Sequence, residues 1–157
     1  MDLPPAPLRL AMPADFGRLL SLWSLVHDDE DGREEGGDVW RRHARDWFLR
    51  TVEDRKVARF PVIEVGDVVV ATAIGVLELG VPNPHCPRGR AVRLANVITT
   101  PEHRGHGFGT RLVGDVVEWA RSIGADRVDL SATPDGRRLY ESVGFTVTSA
   151  PRMKLAL

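Results

Sequence analysis

The chain has 157 residues, 43 % of them hydrophobic and 27 % charged, with a formal net charge of -1. Domains usually run roughly 100 to 200 residues, and ~150 residues bury about 70 % of their unfolded surface, so residues 1–157 are expected to form a single domain. The composition is that of an ordinary soluble globular protein, and a near-neutral charge excludes the electrostatic case for a nucleic-acid partner.

The N-terminal stretch MDLPPAPLRL lacks the basic and apolar regions of a signal peptide, and a cytoplasmic location is the expectation that follows. LRLAM reads as a short first strand, after which Pro13 suits the first turn of a helix, where a missing N–H is tolerated. Phe16, Leu19, Leu20, Trp23 and Val26 then recur on one face at helical spacing. His27 to Asp38, HDDEDGREEGGD, has no apolar period and is expected to be an acidic loop. A second amphipathic helix follows, with Trp40, Ala44, Trp47, Phe48 and Thr51 on one side. FPVIEVGDVVVATAIGVLEL is two β-rich runs meeting at Gly66-Asp67, where a glycine at the first turn position predicts a two-residue type II′ hairpin. The second run is apolar on both alternating faces, as in a central strand, and its Val68 to Leu77 stretch is far short of a membrane span. GVPNPHCPRGRA is a Pro/Gly loop holding Cys86, the one cysteine, so no internal disulfide is available. VRLANVIT is the next strand.

After the segment PEHRGHGFGT, the residues Leu112, Val113, Val116, Val117, Ala120 and Ile123 mark a helix that Gly124 ends. DRVDLSA is a further strand. Thr133-Pro134 reads as N-cap and first position of a short helix carrying Leu139 and Tyr140, stopped by Gly144. FTVTS and RMKLAL are read as two closing strands. The predicted order is βααβββαβαββ, a mixed α/β domain with a central sheet and helices on both faces. Lysine occurs only at 56 and 154, and the abundance of Arg, Ala, Gly, Val and Pro suggests a GC-rich, bacterial source.

Gly105, Gly107 and Gly109 stand where a strand hands over to a helix, with Arg104 at their head. Backbone N–H groups at a helix start are unpaired and carry partial positive charge, and glycines admit a ligand close to them, so the segment suits a phosphate group. A dinucleotide fingerprint G-x-G-x-x-G needs its third glycine at 110, where Thr110 stands. Asp129 is at the distance of a ribose-binding acid, but PEH and Arg104 separate strand from glycines, and too little chain follows for a doubly wound sheet. A P-loop is excluded because no Gly-Lys-Ser/Thr follows.

The pattern Arg104-x-x-Gly107-x-Gly109, two residues after PE and with LYESVGF (Leu139 to Phe145) downstream, resembles the GNAT superfamily of acyl-CoA-dependent N-acetyltransferases. The specific match covers Val92 to Phe145. The resemblance implies acetyl-CoA as co-substrate, its pyrophosphate held by Arg104, Gly105, His106, Gly107, Phe108, Gly109 and Thr110. It implies that main-chain groups near Ile98 and Thr99 pair with the pantetheine arm, which passes between the Asn96 strand and the Asp129 strand as they splay. It also implies that Thr133 stands where relatives often carry a pantetheine-binding asparagine, and that Tyr140 is the catalytic acid.

Acetyl transfer to an amine needs a neutral nucleophile, donors for the developing oxyanion and an acid for the departing thiolate. An alkylamine near pKa ~10.4 is neutral on the order of once per thousand molecules at pH 7, so deprotonation belongs to the mechanism. A tyrosine near pKa ~10 can deliver a proton to a thiolate near ~8.5. Many relatives carry a carboxylate on the Leu94 to Thr99 strand; this chain has Asn96, leaving Glu78, His85 or an acid of the Asp28 to Glu35 loop as open choices for the base. That acidic loop is read as solvated, with attraction of a cationic amine as its functional alternative. Cys86 beside His85 is read as an incidental pair, because neighbours in an extended loop point apart. His103 and His106 are spacers or auxiliary phosphate donors, and five scattered histidines show no metal-ligand spacing, so no metal is expected. The expected acceptor is a primary amine of a small molecule or peptide, attacking directly in a ternary complex. A catalytically silent acyl-CoA-binding sensor of the same fold and a dinucleotide-binding domain are the alternatives. A homodimer is left open, since such relatives often dimerise.

Overall fold

The computed structural model describes residues 4–27 and 37–157. Its strands are β1 (Leu8–Leu10), β2 (Ala58–Arg59), β3 (Pro61–Val65), β4 (Val68–Leu79), β5 (Arg90–Thr99) and β6 (Arg127–Asp129). Its helices are α1 (Phe16–Ser24), α2 (Gly37–Thr51), α3 (Phe108–Ser122) and α4 (Arg137–Val143), with short 3-10 turns at Pro13–Asp15 and Pro101–His103. The sheet runs β1-β3-β4-β5-β6, and β2 pairs with β4 in the same register as β3, so Phe60 merely interrupts one longer strand. All pairs are antiparallel except β5 with β6, whose parallel relation requires a crossover that α3 supplies.

β4 is the spine of this sheet. Seven consecutive buried residues from Val69 to Gly75 reflect a strand covered on both faces, as its unbroken apolar run predicts. One face meets α1 and α2, where Phe16, Trp23, Phe48 and Phe60 pack with ring centroids 5.2 to 6.3 Å apart. The other meets α3 and α4 through Ile63, Val92, Leu94, Leu112, Val113 and Val116. α3 lies flush on the strand at Gly75, where a Cβ would stand 2.7 Å from Val116 Cγ1 and 3.1 Å from Trp119 Cζ3. Arg59 holds the same helix from the side, donating from Nε and Nη2 to the Asp115 carboxylate at 2.9 Å each.

Several local expectations are corrected. The β3–β4 turn has positive φ at both Gly66 (55°) and Asp67 (61°), which is the type I′ pattern and not II′; an aspartate tolerates the left-handed region well enough to permit it. α1 stops at Ser24, so Leu22 joins Leu19 and Trp23 in the core while Val26 lies beyond the helix, half exposed. α2 begins at Gly37, so Gly37 and Asp38 belong to a helix; the rest of the acidic loop, 28–36, lies outside the described residues. α4 starts at Arg137 and not after Thr133, because a turn closed by Gly136 N–H to the Thr133 carbonyl at 3.1 Å precedes it. The two closing strands are absent, residues 146–157 being neither strand nor helix, so the βααβββαβαββ order lacks its last two members. Alternating apolar residues mark a segment able to pair, and the period alone fixes neither a register nor a partner edge.

Arg9 joins β1 to its neighbours. It donates to Asp15 at 2.8 and 2.9 Å and to Glu64 Oε1 at 2.6 Å. These bonds from Arg9 hold the Asp15 carboxyl below its ordinary value, against the opposing effect of burial, with the Met12 N–H assisting. A carboxyl whose folded pKa is depressed stabilises the fold above its unfolded pKa, and the contribution is lost as pH falls through the lower folded value. Thermal melting against pH should therefore fall below about pH 3.8 in the native chain, and this part of the fall should be missing in Asp15→Asn. Gly75→Ala should destabilise by about 1–3 kcal/mol, since Val116 and Trp119 must give way; urea unfolding should show a lower midpoint with unchanged slope.

Candidate functional site

The site begins with an irregularity in β5. Thr72 faces Ile98 and Ile74 faces Ala95, so Asn96 and Val97 together oppose the single residue Ala73. Asn96 takes φ 49°, which absorbs the extra residue as a β-bulge. Beyond it the ladder resumes, with the Thr100 N–H donating to the Val70 carbonyl at 2.9 Å. Main-chain groups alternate sides along an antiparallel ladder, so Ile98 turns its N–H and C=O to β4, while Val97 and Thr99 turn theirs away. On that outward side the β6 pairing ends at Arg93 with Asp129, leaving the second half of β5 with an open main-chain edge. Of the two residues proposed for main-chain pairing, Thr99 thus faces the opening, and Ile98 is buried with its backbone turned to the sheet. Val97 is the residue that the sequence reading missed, because a bulge that shifts the alternation has no signature in hydrophobicity.

The strand passes through the Pro101–His103 turn into the glycine loop. Arg104 Nε donates to the Thr99 carbonyl at 3.2 Å, tying that side chain to the strand end. Gly105 (φ 80°) and Gly107 (φ 77°) occupy the left-handed region with open space where a Cβ would be. Gly107 is the N-cap of α3, and the first amide to find a helical acceptor is that of Arg111, on the Gly107 carbonyl. The N–H groups of Phe108, Gly109 and Thr110 are the unpaired ones, and they carry the positive end of the helix dipole. Gly109 serves another purpose than close ligand approach: its Cβ would stand 2.6 Å from Leu139 Cδ1, so this glycine lets α4 pack on α3. His103 shares a hydrogen bond from Nδ1 with Thr100 Oγ1 at 2.9 Å, and His106 Nδ1 donates to the His103 carbonyl at 3.0 Å.

α4 contributes Tyr140. Its ring stands edge-on to Phe145 at 6.0 Å and so close to Gly136 that a Cβ there would be 3.0 Å from Cε2. Partial burial pushes the phenol above its ordinary pKa, and no hydrogen bond engages the hydroxyl among the described residues. Thr133 Oγ1 accepts from the Gly136 N–H at 3.3 Å, so its hydroxyl shapes the turn that sets α4.

A cleft of about 560 Å³ collects these parts. Ile98, Thr99, Arg104, Gly105, Gly107, Phe108, Gly109, Thr110, Thr133 and Tyr140 line it, and of the proposed residues only His106 stands outside the lining. Leu25, Val26, His103 and Asp135 also line it. Val26 was legible only as a helix residue and Leu25 was not singled out; both lie past the end of α1, half exposed.

Of the residues weighed as bases, Glu78 and His85 fall elsewhere, and the acids of 28–35 lie outside the described residues. Glu78 faces Ala91, eight residues up β5 from Thr99 and so roughly 25 Å away at the rise of a strand, and it pairs with Arg93 at 2.8 Å. His85 is exposed in the β4–β5 loop. Cys86 is buried and donates to Asp126 Oδ2 at 3.3 Å; burial first, then that carboxylate, pushes the thiol up, the reverse of an activated nucleophile. Among the described residues no group of three or more His, Cys, Asp or Glu is placed to hold a metal, and no helix is long and apolar enough to cross a membrane.

This arrangement of bulged strand, opened sheet and glycine-headed helix has relatives. The family model described as "Acetyltransferase (GNAT) family" matches residues 19–145. The chain belongs to the GNAT acetyltransferase family. It is 33 % identical over 82 residues to one uncharacterised N-acetyltransferase of Bacillus subtilis, covering 50 % of this chain and 58 % of that protein. It is 36 % identical over 59 residues to another, covering 36 % of this chain and 24 % of the relative. The chain thus spans from about a quarter to somewhat over half the length of these curated relatives. In fold it is similar to a predicted acetyltransferase of Clostridium acetobutylicum solved with acetyl-CoA, at a TM-score of 0.85 and 22 % identity, covering 97 % of this chain and 96 % of that one.

The bulge is testable by itself. A side chain forced into the left-handed region costs about 1–2 kcal/mol unless it is glycine or a tolerant asparagine. Asn96→Gly should leave stability near that of the native chain, whereas Asn96→Val should lose on the order of that amount, read by chemical denaturation.

Proposed function

We propose that the protein is an N-acetyltransferase that moves an acetyl group from acetyl-CoA to a primary amine of a small molecule or peptide, by direct attack in a ternary complex, with residues 1–157 acting as one catalytic domain. The observation that carries this reading is the single cleft joining an open β5 edge, a glycine-headed helix start and Tyr140. The donor set suits coenzyme A. The Phe108, Gly109 and Thr110 amides, with Gly105 and Gly107 leaving open space beside them, suit a pyrophosphate, and Arg104 adds a cation at the rim. The outward main chain of Val97 and Thr99 suits the amides of an extended pantetheine arm, which pairs as an added strand would.

When bound, acetyl-CoA supplies an activated acyl group and a thiol leaving group. The chain has to supply the rest. A main-chain N–H at the bulge, Val97 in particular, is the donor for negative charge developing on the carbonyl oxygen. Tyr140 stays protonated across neutral pH because its burial raises the phenol, and with its hydroxyl unengaged it is the proton donor to the departing sulfur. Asn96 stands on the strand without a carboxylate, and Glu78 and His85 are remote, which leaves solvent or an acid of the Asp28 to Glu35 loop to take the proton of the acceptor ammonium; turnover should rise with pH towards the pKa of the amine.

Steady-state kinetics over an amine panel that includes aminoglycosides, with mass spectrometry for acetyl gain, tests the reading. Tyr140→Phe should lower turnover by about 10²–10⁴ with little change in acetyl-CoA affinity, the range expected of a general acid. Arg104→Ala should weaken acetyl-CoA binding with a smaller effect on turnover at saturation. Unchanged turnover in Tyr140→Phe would sink its assignment as the acid. Acetyl-CoA binding without turnover of any amine would favour the silent sensor, and thermal stabilisation by NAD alone would favour a dinucleotide-binding domain.

A further inference from the structure

Where β5 and β6 part, the sheet carries charge on the face away from Tyr140. Tyr140 and α3 pack on the face of Val92, Leu94 and Val128. Arg93 stands opposite Val76 on one side and Asp129 on the other, so by the alternation of a strand it points to the face of Val76, Ile98 and α1. Arg93 and Asp129 are the last pair before the strands separate. Two residues back on the same face, Glu78 and Arg127 flank Ala91. A cavity of about 440 Å³ opens over all four charges, walled by the 80–89 loop, and among the described residues none from α1 or α2 lines it.

The four charges alternate and cancel. Arg93 Nε donates to Glu78 Oε1 at 2.8 Å, and Arg127 Nε donates to Asp129 Oδ2 at 2.9 Å. Among the described residues, Arg93 Nη1 and Nη2 have no partner, and neither has Asp129 Oδ1. The two outer nitrogens of a guanidinium form the fork that grips a carboxylate or a phosphate. Both ion pairs are partly exposed, where pairing contributes little, so sharing either arginine with a ligand costs the fold little.

A floor of alternating sign suits a ligand that carries both signs. A polycation meets Arg93 and Arg127, and a plain alkylamine leaves the Arg93 fork unfilled. An amine with its own anionic group satisfies the fork and the Asp129 oxygen together. Arg93 stands four residues from Val97, about 10–13 Å along the strand, which keeps amine and anion within one small molecule.

We infer that the acceptor is a small zwitterion: Arg93 holds its carboxylate or phosphate, and Asp129 turns its amine towards the split, where the thioester arrives from the other face. The inference rests on the acetyltransferase reading above and names the acceptor class that reading leaves open. Arg93 is then the residue that selects the acceptor.

Two measurements keep the inference and that reading apart. Calorimetry on the chain with coenzyme A bound, titrated with β-alanine, phosphoethanolamine, butylamine and spermidine, reads acceptor binding without turnover. Initial rates with acetyl-CoA read kcat/KM for the same four amines. Binding and kcat/KM should favour β-alanine or phosphoethanolamine over butylamine and spermidine by about tenfold or more, as a hydrogen bond to a charged group allows, and the leader of the two tells carboxylate from phosphate. Arg93→Gln should reduce that preference about 10–100-fold with coenzyme A affinity unchanged, and Arg93→Lys, which keeps the charge without the fork, should reduce it less. Circular dichroism checks that both variants fold. Zwitterion binding that depends on Arg93 but is never followed by acetyl transfer would retain the site and remove the transferase reading. A preference for spermidine or butylamine, no binding of either zwitterion, or a zwitterion preference that Arg93→Gln leaves intact overturns the inference, and acetyl transfer to another amine would then leave the transferase reading standing.

Discussion

The extra residue in β5 is the constraint on which the site depends. Without Asn96 in the left-handed region, the ladder between β4 and β5 would run in one register to Thr99. The main chain facing outward would then alternate differently, and Val97 and Thr99 would not both turn from β4. The bulge also bends the strand at the level where β6 parts from it, after Arg93 and Asp129. An opened sheet normally exposes unpaired amides and carbonyls at a cost, and such groups are retained where a ligand completes their hydrogen bonds.

The glycines show how one residue type answers different physical needs. Gly105 and Gly107 are present for positive φ, which turns the chain into α3 with its first amides free. Gly109 and Gly75 are present for want of a side chain, the first admitting Leu139 and the second admitting Val116 and Trp119. Those two close approaches fix α3 between the spine of the sheet and α4. The helix start and Tyr140 therefore hold a constant relation to one another. Arg59 with Asp115 adds a charged clasp on the flank, partly buried and two-pronged, a geometry in which an ion pair contributes more than an exposed one.

On the far face, the cluster of Phe16, Trp23, Phe48 and Phe60 locks α1 and α2 to the sheet. That packing ends α1 in a place where Leu25 and Val26, just past its end, line the cleft. The cleft is accordingly a product of both layers, and its apolar wall and its polar floor come from helices that do not follow one another in sequence.

Periodicity, charge and turn chemistry by themselves determined the element types up to Phe145, the central place of β4 and the glycine-headed helix start; that Ile98, Thr99, Thr133 and Tyr140 belong with it came from the resemblance of Arg104-x-x-Gly107-x-Gly109 and LYESVGF to a known family. Those are properties of spacing along a chain, and they survive without knowledge of neighbours. Tertiary structure alone decided which way a backbone group points after a bulge, why Gly109 is glycine, that Glu78 stands far up the strand from Thr99, and that 146–157 forms no strand with its own chain. Each of these depends on a contact across the sheet or between layers. Local sequence records a capacity to pair or to approach; only the packed neighbour decides whether that capacity is used.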